Sequence, residues 1–187
     1  KIYMFGGSFD PPHLAHIEMV NHLIEDCDKF YIFPAKESPN KVDETIANSA
    51  QRLQMCKHAF GENSSKIEIS NFELNSSSPS YTINTVRWIL NQFPGCELSI
   101  ILGEDQGAQL ATWYEFEAFQ KLVSFICFSR NDFNLNPQIQ LSYIDNFSYE
   151  ISSTNIRNML SHAPEKAREM LQPGVFDYIQ ENKLYSC

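Results

Sequence analysis

No apolar run in this sequence comes near the ~20 residues that a membrane-spanning helix needs. The most apolar stretches, residues 98–102 and 123–128, are far shorter, so no transmembrane segment is expected. The first apolar run, residues 2–5, meets Gly6-Gly7 at once, which is not the form of a signal peptide. The five cysteines (Cys27, Cys56, Cys96, Cys127 and Cys187) are odd in number, widely spaced and without a C-x-x-C pair. Neither a zinc knuckle nor a disulfide framework is indicated. Free thiols in a reducing cytoplasm are the simplest reading, and a cytoplasmic location is expected. Basic residues are scarce: 14 Lys+Arg stand against 23 Asp+Glu, a net charge of −9. A protein that coats nucleic acid or an anionic membrane needs a basic face, so neither partner is expected. Small anionic ligands are not excluded, because they respond to local fields rather than to total charge.

What is present is a core-forming composition. Of 187 residues, 43% are hydrophobic and 13% aromatic, which excludes a disordered or collagen-like chain. The length fits a single domain, residues 1–187. Short apolar runs at 2–5, 30–33, 97–102 and 123–128 read as strands, and 66–70 alternates as a half-buried strand should. Between them, apolar spacing predicts helices over 14–25, 48–60 (with Leu53, Cys56 and Phe60 on one side) and 82–93. The run 123–128 has no polar face and belongs in a sheet covered on both sides. Alternating strands and helices mean βαβ units, hence an α/β, doubly wound, mostly parallel sheet. After residue 129 the pattern changes. Residues 131–140 read as polar loop and 144–151 as irregular, and a small helical C-terminal part (151–187) holds helices over 153–161, 164–171 and 173–182.

In doubly wound folds ligands sit beyond the carboxyl ends of the strands. That rule points to residues 6–16, 34–41, 103–114 and the loop after Ser129. The first of these reads GGSFDPPHLAH. Gly6 and Gly7 permit close backbone approach and strained torsions, and the helix start that follows is a natural anion site. His13 and His16, three apart, share a face there and can aim both rings at one phosphate chain. A zinc pair is the weaker reading, since no third ligand lies near in sequence. A second helix start, ISSTNIR (151–157), offers Ser152, Ser153 and Thr154 as caps, with Arg157 one turn in, where it can reach an anion.

A strand leading into G-G-S-F-D-P-P-H-x-x-H, with a late I-S-S-T-x-x-R, resembles the nucleotidyltransferase superfamily. Within it the chain is similar to the bacterial nicotinate mononucleotide adenylyltransferase family. SPNK (38–41), RLQM (52–55), PSYTINT (79–85), ILGEDQ (101–106), Trp113-Tyr114 and the V-x-x-Y-I-x-x-x-x-L-Y tail (175–185) carry the similarity along nearly the whole chain. The resemblance implies a Rossmann-like nucleotidyltransferase fold and the transfer of adenylyl from ATP to nicotinate mononucleotide. The products would be nicotinate adenine dinucleotide and pyrophosphate, with Mg²⁺ carried on ATP and no protein metal site. It implies catalytic roles for His13, His16, Lys41 and Arg157. ATP would be bound by Gly6, Gly7, Ser8, Phe9, His13, His16, Gly103, Asp105, Arg130, Ser153, Thr154 and Arg157. The mononucleotide would be bound by Ser8, Lys41, Thr82, Trp113 and Tyr114. Asn40 stands where the family usually has histidine, Ala15 where glycine is common, and Glu104 replaces a small residue. Arg52, inside a helix pattern, is equally suited to a structural salt bridge.

Other readings stay open. They are an adenylyltransferase acting on nicotinamide mononucleotide or phosphopantetheine, a cytidylyltransferase, a class I aminoacyl-tRNA synthetase fragment, and a non-catalytic nucleotide-binding module. Oligomeric state is open too, a homo-oligomer included.

Overall fold

A computed structural model describes residues 1–37, 45–61, 64–76, 79–129, 139, 141–145, 147 and 151–185. Six parallel strands form one sheet: β1 Ile2–Gly7, β2 Lys29–Pro34, β3 Ile67–Ile69, β4 Leu98–Gly103, β5 Ser124–Phe128 and β6 Leu141–Ile144. Their order, β3-β2-β1-β4-β5-β6, reverses direction between β1 and β4, the switch point at which such folds open a crevice. Five strands fall where the apolar runs and the alternation predict them. β6 falls between the stretch read as loop (131–140) and the one read as irregular (144–151), where the sequence predicts no strand. As an edge strand with Ser142 and Tyr143 exposed, it shows no apolar run to betray it.

Successive strand residues point to opposite faces, and the two faces build two cores. Tyr3, Phe5, Phe30, Ile32, Ile101 and Phe128 face α1 (Leu14–Leu23), α2 (Ser49–Phe60), α6 (Ser153–His162) and α8 (Pro173–Glu181). Ile2, Met4, Tyr31, Phe33, Ile100, Leu102 and Phe125 face α3 (Thr82–Gln92) and α5 (Phe116–Phe119). Two short helices, α4 (Glu104–Gln109) and α7 (Pro164–Arg168), complete the set. The helices after residue 151 are not an appendage. Ile156, Leu160, Ala167, Leu171, Val175 and Ile179 are buried in the first core. Among the described residues no helix is long and apolar enough to cross a membrane.

Helix α2 begins with a reciprocal cap. Asn48 Oδ1 accepts from Gln51 N–H at 3.0 Å, and Gln51 Oε1 accepts from Asn48 N–H at 2.9 Å. Its buried face is Arg52, Met55, Cys56, Ala59 and Phe60, which leaves Leu53 half-buried beside the stripe predicted for it. A charged side chain has displaced the leucine because it has work inside. Arg52 donates to the carbonyls of Ala47, Ser8, Ala35 and Lys36 at 2.6–3.2 Å. Of the two roles open to it in the sequence, these bonds support the structural one, made through backbone carbonyls rather than a salt bridge.

The chain's end closes the same region. Tyr185 donates its hydroxyl to Asp10 Oδ1 at 2.6 Å, and both residues are buried. Burial and the neighbouring carboxylate raise the pKa of this phenol, so it stays a donor. Tyr185→Phe should cost about 2 kcal/mol, the worth of a hydrogen bond to a buried charge. Urea unfolding measures this, and a loss below ~0.5 kcal/mol, the scale of an inert surface change, would contradict it.

Candidate active site

Where β1 ends, the chain must turn into α1 across the top of the sheet. Gly6 and Gly7 are still strand residues, and neither has a positive φ. The strained torsion expected of the glycines falls on Phe9, at φ +47°. Its ring is buried against Phe5, Phe60 and His16. Packing of a large aromatic offsets a backbone cost of about 1–3 kcal/mol. The glycines serve space instead. A Cβ on Gly7 would meet the Phe9 ring at 3.2 Å, and one on Gly6 would meet nothing closer than the Phe33 carbonyl at 4.0 Å.

His13 caps α1, and its ring stacks on His16 with centroids 3.7 Å apart and planes at 20°. The His13 N–H donates to His16 Nδ1 at 3.2 Å. An accepting Nδ1 leaves the proton of a neutral imidazole on Nε2, so the tautomer of His16 is set by the helix start.

The second helix start is brought against the first. Ser152 caps α6 by accepting from Asn155 N–H at 3.2 Å. Ser153 Oγ donates to the Pro11 carbonyl at 2.9 Å, and Arg157 Nη1 donates to the Asp10 carbonyl at 2.7 Å. Arg157 Nη2 also reaches Thr154 Oγ1 at 3.3 Å, and the guanidinium lies 3.8 Å from Asp10 Oδ2. Leu14 N–H is taken by the Met170 carbonyl at 3.0 Å and Asn155 N–H by Ser152, while Ala15, Ser153 and Thr154 bring the two positive helix ends to one space.

That space is a cleft of about 720 Å³. It brings together Gly6, Gly7, Ser8, Phe9, His13, His16, Gly103, Asp105, Ser153, Thr154 and Arg157 with Thr82, Trp113 and Tyr114. Lys41 and Arg130, with Asn40 and the rest of the SPNK loop, lie outside the described residues. Gly103 has open space where a Cβ would stand. Within residues 103–114, α4 starts at Glu104 and a 3₁₀ turn covers Leu110–Thr112. Two acids, Glu104 and Asp105, occupy the first turn of α4, where the helix dipole favours them.

The far end of the cleft is an aromatic wall. Tyr81, at the start of α3, packs its ring 4.6 Å from that of Tyr114, and Trp113 is half-buried beside the second core. Arg87 on α3 pairs with Glu115 at 2.7 Å, tying the two sides of this wall on the outside.

Sequence reasoning missed four residues that hold the site. Asp10 accepts from Ile46 N–H (2.7 Å) and Ala47 N–H (3.1 Å) as well as from Tyr185. Gln106 approaches the Gly6 carbonyl at 3.4 Å. Ser80 and Glu73 line the cleft beside Thr82. Asp10 and Ser80 sat inside quoted motifs, but nothing in the letters around Glu73 signals its role.

Fold and cleft together define a nucleotidyltransferase-type site: a switch-point crevice in a parallel sheet, armed by two helix starts. The sequence pattern of the cytidylyltransferase-like family matches residues 4–159. The chain is 34% identical to the nicotinate-nucleotide adenylyltransferase of Bacillus subtilis, over 99% of this chain and 98% of that one. Among solved structures it is similar to the Plasmodium falciparum nicotinic acid mononucleotide adenylyltransferase complexed with NaAD. That likeness has a TM-score of 0.79 and 25% identity, and covers 98% of this chain and 96% of that one. The same protein complexed with APC gives a TM-score of 0.80 at 22% identity, with the same coverage. The chain belongs to the cytidylyltransferase-like family and, within it, to the nicotinate-nucleotide adenylyltransferases.

The buried Glu73 makes stability depend on pH. Burial pushes its carboxyl up to about 7, against the pull of hydrogen bonds from Thr85 and Ser80. A carboxyl whose pKa is raised by folding contributes stability that is full below the unfolded value and is lost as pH rises through the folded one. The shift from 4.5 to about 7 corresponds to on the order of 3 kcal/mol. Stability of Glu73→Gln relative to wild type should therefore rise by roughly 2–3 kcal/mol from pH 5 to pH 8 in denaturant titrations. A difference that does not change with pH would show that Glu73 ionises as freely folded as unfolded.

Proposed function

We propose that this chain is a cytoplasmic enzyme that transfers the adenylyl group of ATP to nicotinate mononucleotide, forming nicotinate adenine dinucleotide and pyrophosphate. The observation that carries this reading is the convergence of the α1 and α6 starts on a cleft whose far end is walled by Tyr81, Thr82, Trp113 and Tyr114. The phosphate end suits a triphosphate. His13 and His16 face it from one helix start, and Ser153, Thr154 and Arg157 from the other, and the family resemblance adds Lys41 as a further phosphate ligand. Gly6, Gly7, Ser8 and Phe9 shape the floor. Gly103 and Asp105 serve the ATP ribose, and Arg130 the adenine edge. Thr82, Trp113 and Tyr114 take the pyridine ring and its carboxylate, since a cationic ring is attracted to an aromatic face.

A mononucleotide phosphate is already a nucleophile at neutral pH, so no general base is required. Its oxygen forms a bond to the α-phosphorus of ATP as the bond to pyrophosphate breaks. The protein's task is to hold two anions in line and to stabilise charge on the transferring phosphoryl group. His16 suits the second task, because its fixed tautomer presents Nε2–H as a preorganised donor. Magnesium enters as part of the substrate, carried on the triphosphate, where it offsets repulsion between the phosphates.

Purified protein should release pyrophosphate from ATP and Mg²⁺ with nicotinate mononucleotide. It should do so far less readily with nicotinamide mononucleotide or phosphopantetheine. Faster turnover of either alternative would reassign the substrate, and no release with any would leave a nucleotide-binding module. His16→Ala should lower kcat at least 100-fold, roughly the effect of losing one preorganised donor. A variant that keeps more than half the wild-type kcat would remove His16 from the chemistry.

A further inference from the structure

Glu73 sits in the turn after β3, 5% exposed, with no cation paired to it among the described residues. A carboxyl in such a place costs stability unless its partners repay it. Both partners are hydroxyls. Thr85 donates to Glu73 Oε1 at 2.7 Å, and Ser80 bonds the same carboxyl. Ser80 in turn is fixed on its other sides. Its Oγ accepts from the Lys36 N–H at 2.9 Å, and its own N–H donates to the Glu37 carbonyl at 3.0 Å.

The direction of every bond in this relay follows from its end points. Lys36 N–H can only donate, and at pH 8, above the raised value of about 7, an ionised Glu73 can only accept. The Ser80 hydroxyl therefore receives from Lys36 and gives to Glu73, and Thr85 gives from the opposite side. Thr85 lies on the second turn of α3, whose start, at Tyr81, has no side-chain cap. The start of α3 is thus held from behind by Glu73, against the turn after β3 and the loop after β2. Its front, Tyr81 and Thr82, is the cleft wall opposite Trp113-Tyr114.

We propose that Glu73 is a positioning residue for the mononucleotide end of the cleft, setting affinity for the pyridine substrate by locking the Ser80–Thr85 segment. The proposal rests on the reading given under Proposed function. It does not follow from the fold alone, because an apolar residue at position 73 would fill the same turn without orienting either hydroxyl. A glutamine there has one accepting oxygen and an NH₂ group. Facing Ser80, that group would bring a second donor to an oxygen already occupied by Lys36 N–H and would leave the serine proton without an acceptor.

Steady-state kinetics of wild type and Glu73→Gln, with ATP and nicotinate mononucleotide varied separately, tests it. KM for nicotinate mononucleotide should rise roughly tenfold, the scale of a misdirected hydrogen bond to a charged group, while kcat and KM for ATP stay within about twofold. Melting temperature at pH 8 should not fall, so weakened binding cannot be read as weakened folding. Ser80→Ala and Thr85→Val keep the carboxylate and remove one hydroxyl each. They should show the same split between the two KM values, and they carry the test if Glu73→Gln does not fold. Unchanged KM for nicotinate mononucleotide, or equal rises in both KM values, would make Glu73 a structural residue only. A wild type that does not turn over nicotinate mononucleotide would overturn the substrate reading and this inference together. That outcome is visible in the wild-type arm before any variant is compared.

Discussion

The cleft depends on one buried carboxylate. Asp10 is 1% exposed at the end of the β1 loop, where an unpaired charge would cost several kcal/mol. Its oxygens are met by Ile46 N–H, Ala47 N–H and the Tyr185 hydroxyl, with the Arg157 guanidinium at 3.8 Å. These partners come from the approach to α2, from the last turns of the chain and from the second turn of α6. Satisfying Asp10 therefore fixes three separate segments against the loop that carries His13. Arg52 does the complementary work with a buried cation. Burial lowers its pKa while Asp10 opposes that shift, and its carbonyl partners are Ser8 and Ala47 in the same loops and Ala35 and Lys36 just after β2. A hydrophobic residue at either position would pack but would not select one arrangement of the loop ends.

The same bonding explains how a chain of net charge −9 can present a site suited to polyanions. The cleft is not free of acids, since Asp10, Glu73, Glu104 and Asp105 all line it. Two of them are muted. Asp10 is surrounded by donors, and Glu73 is pushed up to about 7 by burial, so its charge is partly withdrawn. Against the remaining pair stand two imidazoles, the Arg157 guanidinium and two helix N-termini. Net charge describes the solvated surface, and the cleft departs from it locally.

Five strands, the main helices and the two armed helix starts were legible in the sequence because each writes its own local pattern. Apolar runs mark buried strands, 3.6-residue spacing marks helices, and Gly-Gly followed by His-x-x-His marks a loop meeting a helix. What was not legible depends on partners distant in the chain. Phe9 carries the strained torsion because Phe5, Phe60 and His16 surround its ring, which no local rule reveals. Arg52 displaces Leu53 from the buried face because four carbonyls await it. Strand β6 lacks an apolar run because its outer edge faces solvent. Glu73 reads as an ordinary surface acid until Thr85 and Ser80 are placed around it.

The two ends of the cleft are held by different buried acids, and they meet at one peptide. In the peptide that joins Ala35 to Lys36, the Ala35 carbonyl accepts from Arg52 at 2.6 Å and the Lys36 N–H donates to Ser80 at 2.9 Å. On one side of that peptide stands the framework of Asp10, Arg52 and Tyr185, which fixes the helix starts. On the other stands Glu73 with Ser80 and Thr85, which fixes the aromatic wall. On the proposed assignment of substrates, the spacing between these ends matters as much as either end, because the attacking phosphate would belong to the molecule at the wall and the α-phosphorus to the one at the helix starts. A shift of about 1 Å in reacting distance is enough to cost 100-fold in rate. Anchoring both frameworks on a single planar peptide at the end of β2 sets that spacing through covalent geometry. It leaves each end open to a different substrate class without rebuilding the other.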